Sequence, residues 1–274
     1  MKKYLVIGNP IEHSLSPLIH NFWLKKYGLK ESIYEKKKTE EGELEEIVNQ
    51  VRDGKLAGVN VTVPFKKKII PFVDGLDDIA TLSKSVNTLF NIGSKKVLGL
   101  NTDVPGFIRS FVKNPEIEYH KKDIFIIGTG GVTSSVLSCF LACANKIYIT
   151  NRTKEKAEKL KNDYHHKMGE KIKVIDWGKT PKNCDLVINT TSVGLKKDES
   201  LSLDFKEYEN NKNVLFYDLI YNPKETIFLS DARLRGNKTM NGKMMFLNQA
   251  LISFEKWTGI TPKIDDEMIK LLDR

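Results

Sequence analysis

Residues 123–150 read DIFIIGTGGVTSSVLSCFLACANKIYIT, and this stretch decides the fold class. Asp123-Ile124-Phe125-Ile126-Ile127 is an apolar run of strand length, Gly128-Thr129-Gly130-Gly131 a glycine turn, Val132 to Ala144 a helical pattern, and Lys146 to Thr150 a second strand. Strand, turn, helix and strand within about 30 residues form the unit in which main-chain amides at a helix N-terminus approach a pyrophosphate. The third small position of that fingerprint falls on Thr133, so taken alone the loop also reads as a plain tight turn. After the second strand, where a site for an unphosphorylated ribose places an acid, the chain has Asn151-Arg152-Thr153-Lys154. A guanidinium pairs with a 2′-phosphate and stacks on adenine, so these residues favour NADP over NAD. A surface arginine beside a helix cap at Thr153 is the competing reading.

Outward from this unit the same alternation continues. Strands are expected at Ile172 to Ile175, Leu186 to Asn189 and Val214 to Leu219, which predicts a parallel sheet with right-handed crossovers. From about Lys243 the chain is helical, with Met245, Leu247, Ala250, Leu251, Phe254 and Trp257 on one face. Upstream, Tyr4 to Ile7 is a short strand ending in Gly8-Asn9-Pro10, and Ser16-Pro17 supplies an N-cap and first-turn proline for a helix closing at Gly28. A strand over Ser32 to Lys36 precedes a helix from about Glu41 to Arg52 with Leu44, Ile47, Val48 and Val51 at helical spacing, stopped by Gly54. Gly58 to Val63 is a buried strand cut off by Pro64, and Val86 to Asn91 with Lys96 to Asn101 form a hairpin.

Composition agrees with a folded α/β protein of two domains. The 274 residues exceed the usual size of one domain, and 40% hydrophobic with 29% charged residues excludes bulk disorder. No apolar run reaches the roughly 18 residues that span a bilayer, and no signal peptide is expected. Cys139, Cys143 and Cys184 are an odd number without CxxC spacing, which argues against a disulfide framework or a metal site and for the reducing cytoplasm. The formal charge of +9 invites a nucleic-acid role, but only six of the 44 cations are arginine and the lysines interleave with glutamate as on solvated helices. An anionic small substrate or a phosphorylated cofactor is the expected partner.

Polar residues gather at strand ends and turns of the first third: Ser14, Ser16, Asn60, Thr62, Lys66, Asn87 and Asn101-Thr102-Asp103. Singly, each has a structural explanation, as a helix cap or a solvent-facing strand edge. Together they offer hydroxyl, amide, ammonium and carboxylate groups, as a polyhydroxylated acid requires. These residues carry a resemblance. Gly8-Asn9-Pro10-Ile11-Glu12-His13-Ser14-Leu15-Ser16-Pro17 resembles the opening signature of shikimate dehydrogenases, and Asn60-Val61-Thr62-Val63-Pro64-Phe65-Lys66 that family's lysine segment. Val86-Asn87-Thr88, Gly99 to Asp103, Asn151-Arg152-Thr153, Asn189 to Gly194, Tyr217 to Tyr221 and Gln249-Ala250 continue the likeness in order along essentially the whole chain.

The resemblance implies reversible NADP-dependent oxidation of shikimate to 3-dehydroshikimate, a step toward the aromatic amino acids. It implies a substrate domain over residues 1–103 joined by 240–274, and a Rossmann-like, doubly wound NADP domain over 104–239, with the site between them. Carried over, Ser14 and Ser16 hold the substrate carboxylate, and Thr62, Asn87, Tyr221 and Gln249 orient the ring, with Asn60 a neighbour. Lys66 and Asp103 form a coupled catalytic dyad, the proton resting on Lys66 or passing through Asp103. Gly128, Thr129, Gly130, Gly131 and Val132 receive the pyrophosphate, and Asn151, Arg152, Thr153, Lys154 and Lys156 the adenosine phosphate. Leu219 and Met244 lie at the nicotinamide, and Asp78 is a further cofactor candidate. A homodimer is the assembly carried forward. Two departures stand out: Met244 replaces a glycine in Gly242-Lys243-Met244-Met245, and Val132-Thr133-Ser134-Ser135 replaces small alanines and a basic residue. Both are expected to weaken cofactor affinity more than activity. The rivals are an NAD-dependent quinate/shikimate dehydrogenase and a non-catalytic NADPH sensor.

Overall fold

A computed structural model describes residues 1–112, 120–196 and 198–272. The chain forms two compact units, Met1–Arg109 with Leu247–Arg274, and Ser110–Phe246. The first contains β1 (Lys2–Gly8), α1 (Ser16–Lys26), β2 (Ser32–Lys38), α2 (Leu44–Arg52), β3 (Gly58–Val61), β4 (Gly75–Leu76), α3 (Asp78–Ser83), β5 (Thr88–Asn91), β6 (Val97–Leu100) and most of α4 (Asp103–Val112). The second contains β7 (Asp123–Ile127), α5 (Gly131–Phe140), β8 (Lys146–Thr150), α6 (Lys154–Met168), β9 (Ile172–Val174), β10 (Leu186–Asn189), β11 (Leu215–Asp218), α7 (Ile227–Leu234) and β12 (Lys238–Asn241). The division then falls within α8 (Lys243–Thr258), and the first unit is completed by α9 (Asp266–Leu271). Among the described residues no helix is long and apolar enough to cross a membrane.

In the first unit six strands lie in the order β2-β1-β3-β5-β6-β4, with β5 antiparallel to both neighbours and the remaining pairs parallel. The apolar stripe of α2 explains its place: Leu44, Ile47, Val48 and Val51 are fully buried in one cluster with Val59, Val61 and Leu89 of the sheet and with Val86 just ahead of β5. Gly54, at φ +75°, ends the segment in a conformation that favours glycine. Gly58 has another reason to be glycine. A Cβ built there would lie 2.2 Å from Trp257 Nε1, so the indole of α8 rests on bare backbone while Nε1 donates to Leu89 O at 2.9 Å.

The second unit is an all-parallel sheet in the order β12-β11-β10-β7-β8-β9. The strands progress outward in both directions from β7, the arrangement of a doubly wound dinucleotide-binding fold. Strands covered on both faces read as continuous apolar runs, and Ile124 to Ile127 and Leu186 to Ile188 are buried accordingly.

The structure revises several sequence expectations. Ser16 is not the N-cap of α1 but its first residue; Leu15 occupies the cap, and Ser14 Oγ accepts from Ser16 N at 3.4 Å. β3 stops at Val61 because Thr62 begins a turn, its carbonyl accepting from Phe65 N at 2.9 Å ahead of the donorless Pro64. α5 ends at Phe140, where Cys143 N and Ala144 N both turn back to Phe140 O. α7 and β12 were not anticipated between Leu219 and Lys243. β12 reads Lys-Thr-Met-Asn and pairs on one side only, so it lacks the apolar run of an inner strand.

Candidate active site

The turn after β3 and the start of α4 bring the central pair together. Lys66 O accepts from Val86 N at 2.8 Å, which seats the lysine beside the segment leading into β5. Asn101 Oδ1 accepts from Val104 N at 3.1 Å, capping α4 so that Asp103 opens it, where a helix favours an acid. Lys66 Nζ then lies 2.6 Å from Asp103 Oδ2, with the side chains only 10% and 7% exposed. A pair this buried must be held by further hydrogen bonds. Asn87 provides one: its Nδ2 donates to Asp103 Oδ1 at 2.9 Å, while Thr102 N donates to Asn87 Oδ1 at 2.8 Å. Lys66, Asn87 and Asp103, separated by up to 37 positions in sequence, form one cluster.

The other residues expected on the substrate side are placed less uniformly. Asn60 neither faces solvent nor keeps a free amide. Its Oδ1 accepts from Tyr34 Oη at 2.6 Å, and its Nδ2 reaches Asn87 O, Thr88 Oγ1 and Ser253 Oγ at 3.0 to 3.1 Å. Thr62 sits beyond β3, half-buried over Gly8, where a Cβ would come within 2.6 Å of Thr62 Cγ2. Ser16 is buried and Ser14 half-buried at the start of α1. Gln249, on α8, packs against Gly106 of α4, where a Cβ would lie 2.9 Å from Gln249 N. Asp78, the outlying cofactor candidate, is an exposed first-turn residue of α3 in this same unit.

Behind the cluster, the His20 ring stacks on Tyr34 at 4.2 Å between centroids and 4° between planes. Burial holds its imidazole down to about 3, and neither ring nitrogen has a hydrogen-bond partner. Burial also pushes the Tyr34 phenol well above its ordinary value, so it remains the donor to Asn60.

In the second unit, Gly128 is required twice over. Its φ is +107°, and a Cβ would lie 2.8 Å from Thr190 Oγ1 and Thr191 Cγ2. Gly130 is the opposite case: a Cβ there meets nothing within 4 Å, which leaves open space beside the start of α5. A helix N-terminus with room beside it suits an anion. Thr133, the departure from the small-residue pattern, is buried with Oγ1 2.8 Å from Thr190 Oγ1. Thr190 donates to Ile127 O at 2.8 Å, so the Thr133 hydroxyl donates to Thr190 and the extra polar group is satisfied.

At the end of β8, Thr153 acts through its carbonyl rather than as a side-chain cap, accepting from Asn151 Nδ2 at 2.9 Å and Lys156 N at 3.2 Å. Lys154 pairs with Asp176 at 2.6 Å and Lys156 is exposed. Arg152 is exposed with no hydrogen bond or ion pair to a described residue. A partnerless guanidinium next to this turn, with open space at Gly130, fits a phosphorylated dinucleotide. At the ends of β11 and β12, a Cβ on Gly242 would lie 2.0 Å from Leu219 O, so Gly242 is the glycine that the close backbone approach demands. Met244 falls two residues later, half-buried in the first turn of α8. Tyr221 belongs to this unit and stacks on Phe246 at 4.2 Å. Beside Leu219, burial pushes the Asp218 carboxyl up to about 6, against hydrogen bonds from Thr226 Oγ1, Ile220 N and Asn189 Nδ2.

Sequence reading gave no role to Tyr34 or Ser253, quoted Thr88 only as part of a motif, and missed the tight contact at Gly242. One signal for Ser253 was available: it lies four residues after Gln249, hence on the same face of α8.

Comparison with known proteins gives the chain a family. A model of the shikimate dehydrogenase substrate binding domain matches residues 6–89, and one of shikimate / quinate 5-dehydrogenase matches residues 112–225. The shikimate dehydrogenase (NADP(+)) of Pelagibacter ubique strain HTCC1062 is 44% identical over 273 residues, covering 99% of each chain. A solved shikimate dehydrogenase in complex with NADP+ superposes with a TM-score of 0.90 at 31% identity, over 100% of this chain and 95% of that one. The shikimate 5-dehydrogenase of Thermus thermophilus, in complex with NADP(H) and shikimate, gives 0.84 at 29% identity, over 100% and 99%.

Proposed function

The chain belongs to the shikimate dehydrogenase family, and we propose that Lys66 and Asp103 serve the family's reaction at the reacting hydroxyl. The activity is the reversible, NADP-dependent interconversion of shikimate and 3-dehydroshikimate, an oxidation of a CH–OH group. Bound NADP supplies the hydride acceptor, and NADPH the donor in reverse.

What the protein must supply is a place for the hydroxyl proton, because the carbon gives up hydride only as the oxygen gives up its proton. The buried contact of 2.6 Å between Lys66 Nζ and Asp103 Oδ2 carries this reading. Within that pair the proton from the substrate oxygen is taken up and, in the reductive direction, returned. Asn87 keeps Asp103 Oδ1 occupied so that Oδ2 stays with the lysine. Ser14 and Ser16 offer hydroxyls to the carboxylate, with Thr62, Tyr221 and Gln249 orienting the ring. Asn60, its amide already engaged, works through its neighbours rather than on the substrate. Gly128 to Val132 and Asn151 to Lys156 hold the cofactor's phosphates, with Arg152 at the 2′-phosphate.

The test is absorbance at 340 nm with shikimate and NADP, run beside quinate and NAD. Shikimate-dependent NADP reduction that disappears in Lys66→Ala is expected. Near-native turnover in Lys66→Ala removes the lysine from the mechanism.

A further inference from the structure

Asn87 can offer the dyad either end of its amide, and only the nitrogen end helps. Nδ2 donates to Asp103 Oδ1; the carbonyl oxygen in that place would face the carboxylate lone pair to lone pair. The Thr102 backbone N–H, 2.8 Å from Asn87 Oδ1, favours that end, and a cluster of buried hydroxyls behind the dyad adds to it. Thr88 Oγ1 and Thr102 Oγ1 each lie 3.2 Å from Asn87 Oδ1. Ser253 Oγ lies 2.8 Å from Thr88 Oγ1 and 3.2 Å from Thr102 Oγ1. It is also 3.1 Å from Gln249 O and from Asn60 Nδ2.

Counting protons gives the cluster a direction. The Ser253 hydroxyl donates to Gln249 O, one turn back along α8, which leaves Ser253 Oγ as an acceptor. Tyr34 donates to Asn60 Oδ1, which turns the Asn60 NH2 toward Thr88 and Ser253 as a further donor. Asn87 Nδ2 also donates to Thr102 Oγ1 at 2.9 Å, so the Thr102 proton goes to Ser253 Oγ and the Thr88 proton to Asn87 Oδ1. That hydroxyl joins the Thr102 N–H in facing Asn87 Oδ1, and together they keep Nδ2 turned to Asp103. No atom of this cluster is among the buried polar atoms that lack a partner. Without the acceptor on Ser253, both threonine hydroxyls compete for one oxygen, and the Thr88 rotamer that reaches Asn87 loses its anchor.

We propose that Ser253, acting through Thr88 and Thr102, is a positioning residue for the dyad, fixing the Asn87 amide with its nitrogen toward Asp103. The inference rests on the Lys66 and Asp103 reading above. It also joins the two ends of the substrate side, because the carbonyl that takes the Ser253 proton belongs to Gln249.

The experiment compares four variants of the full chain in shikimate-dependent NADP reduction: Ser253→Ala, Thr88→Val, Thr88→Ser and Lys66→Ala. Ser253→Ala and Thr88→Val are expected to lower kcat about tenfold, the kinetic equivalent of one lost hydrogen bond to a charged network, with KM for NADP held within about twofold. Thr88→Ser, which keeps the hydroxyl and drops the methyl, is expected to recover most of that loss. Native kcat in both Ser253→Ala and Thr88→Val, with Lys66→Ala silent, overturns the inference and leaves the dyad standing. A Thr88→Ser loss equal to that of Thr88→Val also overturns it, since packing and not the hydroxyl is then responsible. If Ser253→Ala does not fold, the Thr88 pair decides alone. Turnover surviving in Lys66→Ala instead overturns the dyad and the inference with it.

Discussion

The cluster around Lys66 and the turn around Arg152 solve opposite problems. In the first, every charged or amide group is buried and already engaged: Lys66 with Asp103, Asp103 with Asn87, Asn87 with Thr102. In the second, the cation is exposed and partnerless and the neighbouring glycine opens onto empty space. Groups that move a proton must be in position before the substrate arrives, and in a dry interior an unengaged one is costly. Groups that bind a phosphate can wait in water, because solvent satisfies them until the ligand does. On the proposed reading, the proton-handling pair is held by its partners before substrate arrives, whereas the phosphate site is completed by its ligand.

The sharpest way to break this contrast is Asp103→Asn. It leaves the Lys66 ammonium buried without a counter-charge, so turnover should fall by about 10²–10⁴ and unfolding free energy by about 3–5 kcal/mol. Steady-state rates and urea titration read the two. A variant that keeps both would show that the buried pair is not an engaged one.

The two units should also respond oppositely to acid. His20, in the first, is held down to about 3 against an ordinary 6.5, so its unfolded form binds a proton that the folded form refuses. Its stabilising contribution is complete above pH 6.5 and is lost as pH falls, by roughly 2 kcal/mol at pH 5. Asp218, in the second, is held up to about 6 against 3.8, so its folded form keeps a proton that the unfolded form gives up. That contribution is complete below about pH 3.8 and is lost as pH rises through 6, so acidification from 6 to 5 returns roughly 1 kcal/mol. Hydrogen exchange at pH 6.5 and 5 should show protection falling in β1 to β3 relative to β7 to β11. His20→Phe and Asp218→Asn should each remove one slope, and equal slopes in both units would erase the distinction.

Arg152→Ala tests the open site. Loss of one charge-assisted contact should reduce the preference for NADP over NAD by about ten to a hundredfold, with kcat nearly kept. An unchanged preference assigns the 2′-phosphate to other cations. The smallest effect is expected from Lys154→Ala. Its partner Asp176 and its own side chain are both about half exposed, so stability should move by no more than about 0.5 kcal/mol in a thermal melt.

How much of this was visible in the sequence follows the same divide. The loop from Asp123 to Thr150 could be read directly, because an inner parallel strand is a continuous apolar run and a glycine turn is local chemistry. The apolar face of α8 was equally plain, and all six residues expected on it are buried. Lys66, Asp103 and Asn87 were singled out through their motifs, but the contacts that join them were not. Polar groups inside a core are defined by partners far along the chain, and Thr88 and Ser253 are 165 residues apart. Nothing local distinguishes a serine that orients an amide from one that merely fits a helix. Asn60 looked like a substrate residue for the same reason, since alternation gives the face of a side chain and not the Tyr34 hydroxyl waiting there. β12 escaped because an edge strand needs no apolar run, and Gly242 because its demand comes from the Leu219 backbone.

The first unit is split in sequence, and this sets an order of birth on the ribosome. Residues 110–246 emerge as one uninterrupted stretch and hold all six strands of their own sheet. The unit that begins first must wait longest, because Trp257, which roofs Gly58, and Ser253 arrive only with residues 247–274. During that interval the Gly58 backbone is uncovered and Thr88 and Thr102 lack their Ser253 partner, so the nascent chain can complete its nucleotide-binding half well before the cluster around Asn87 is finished.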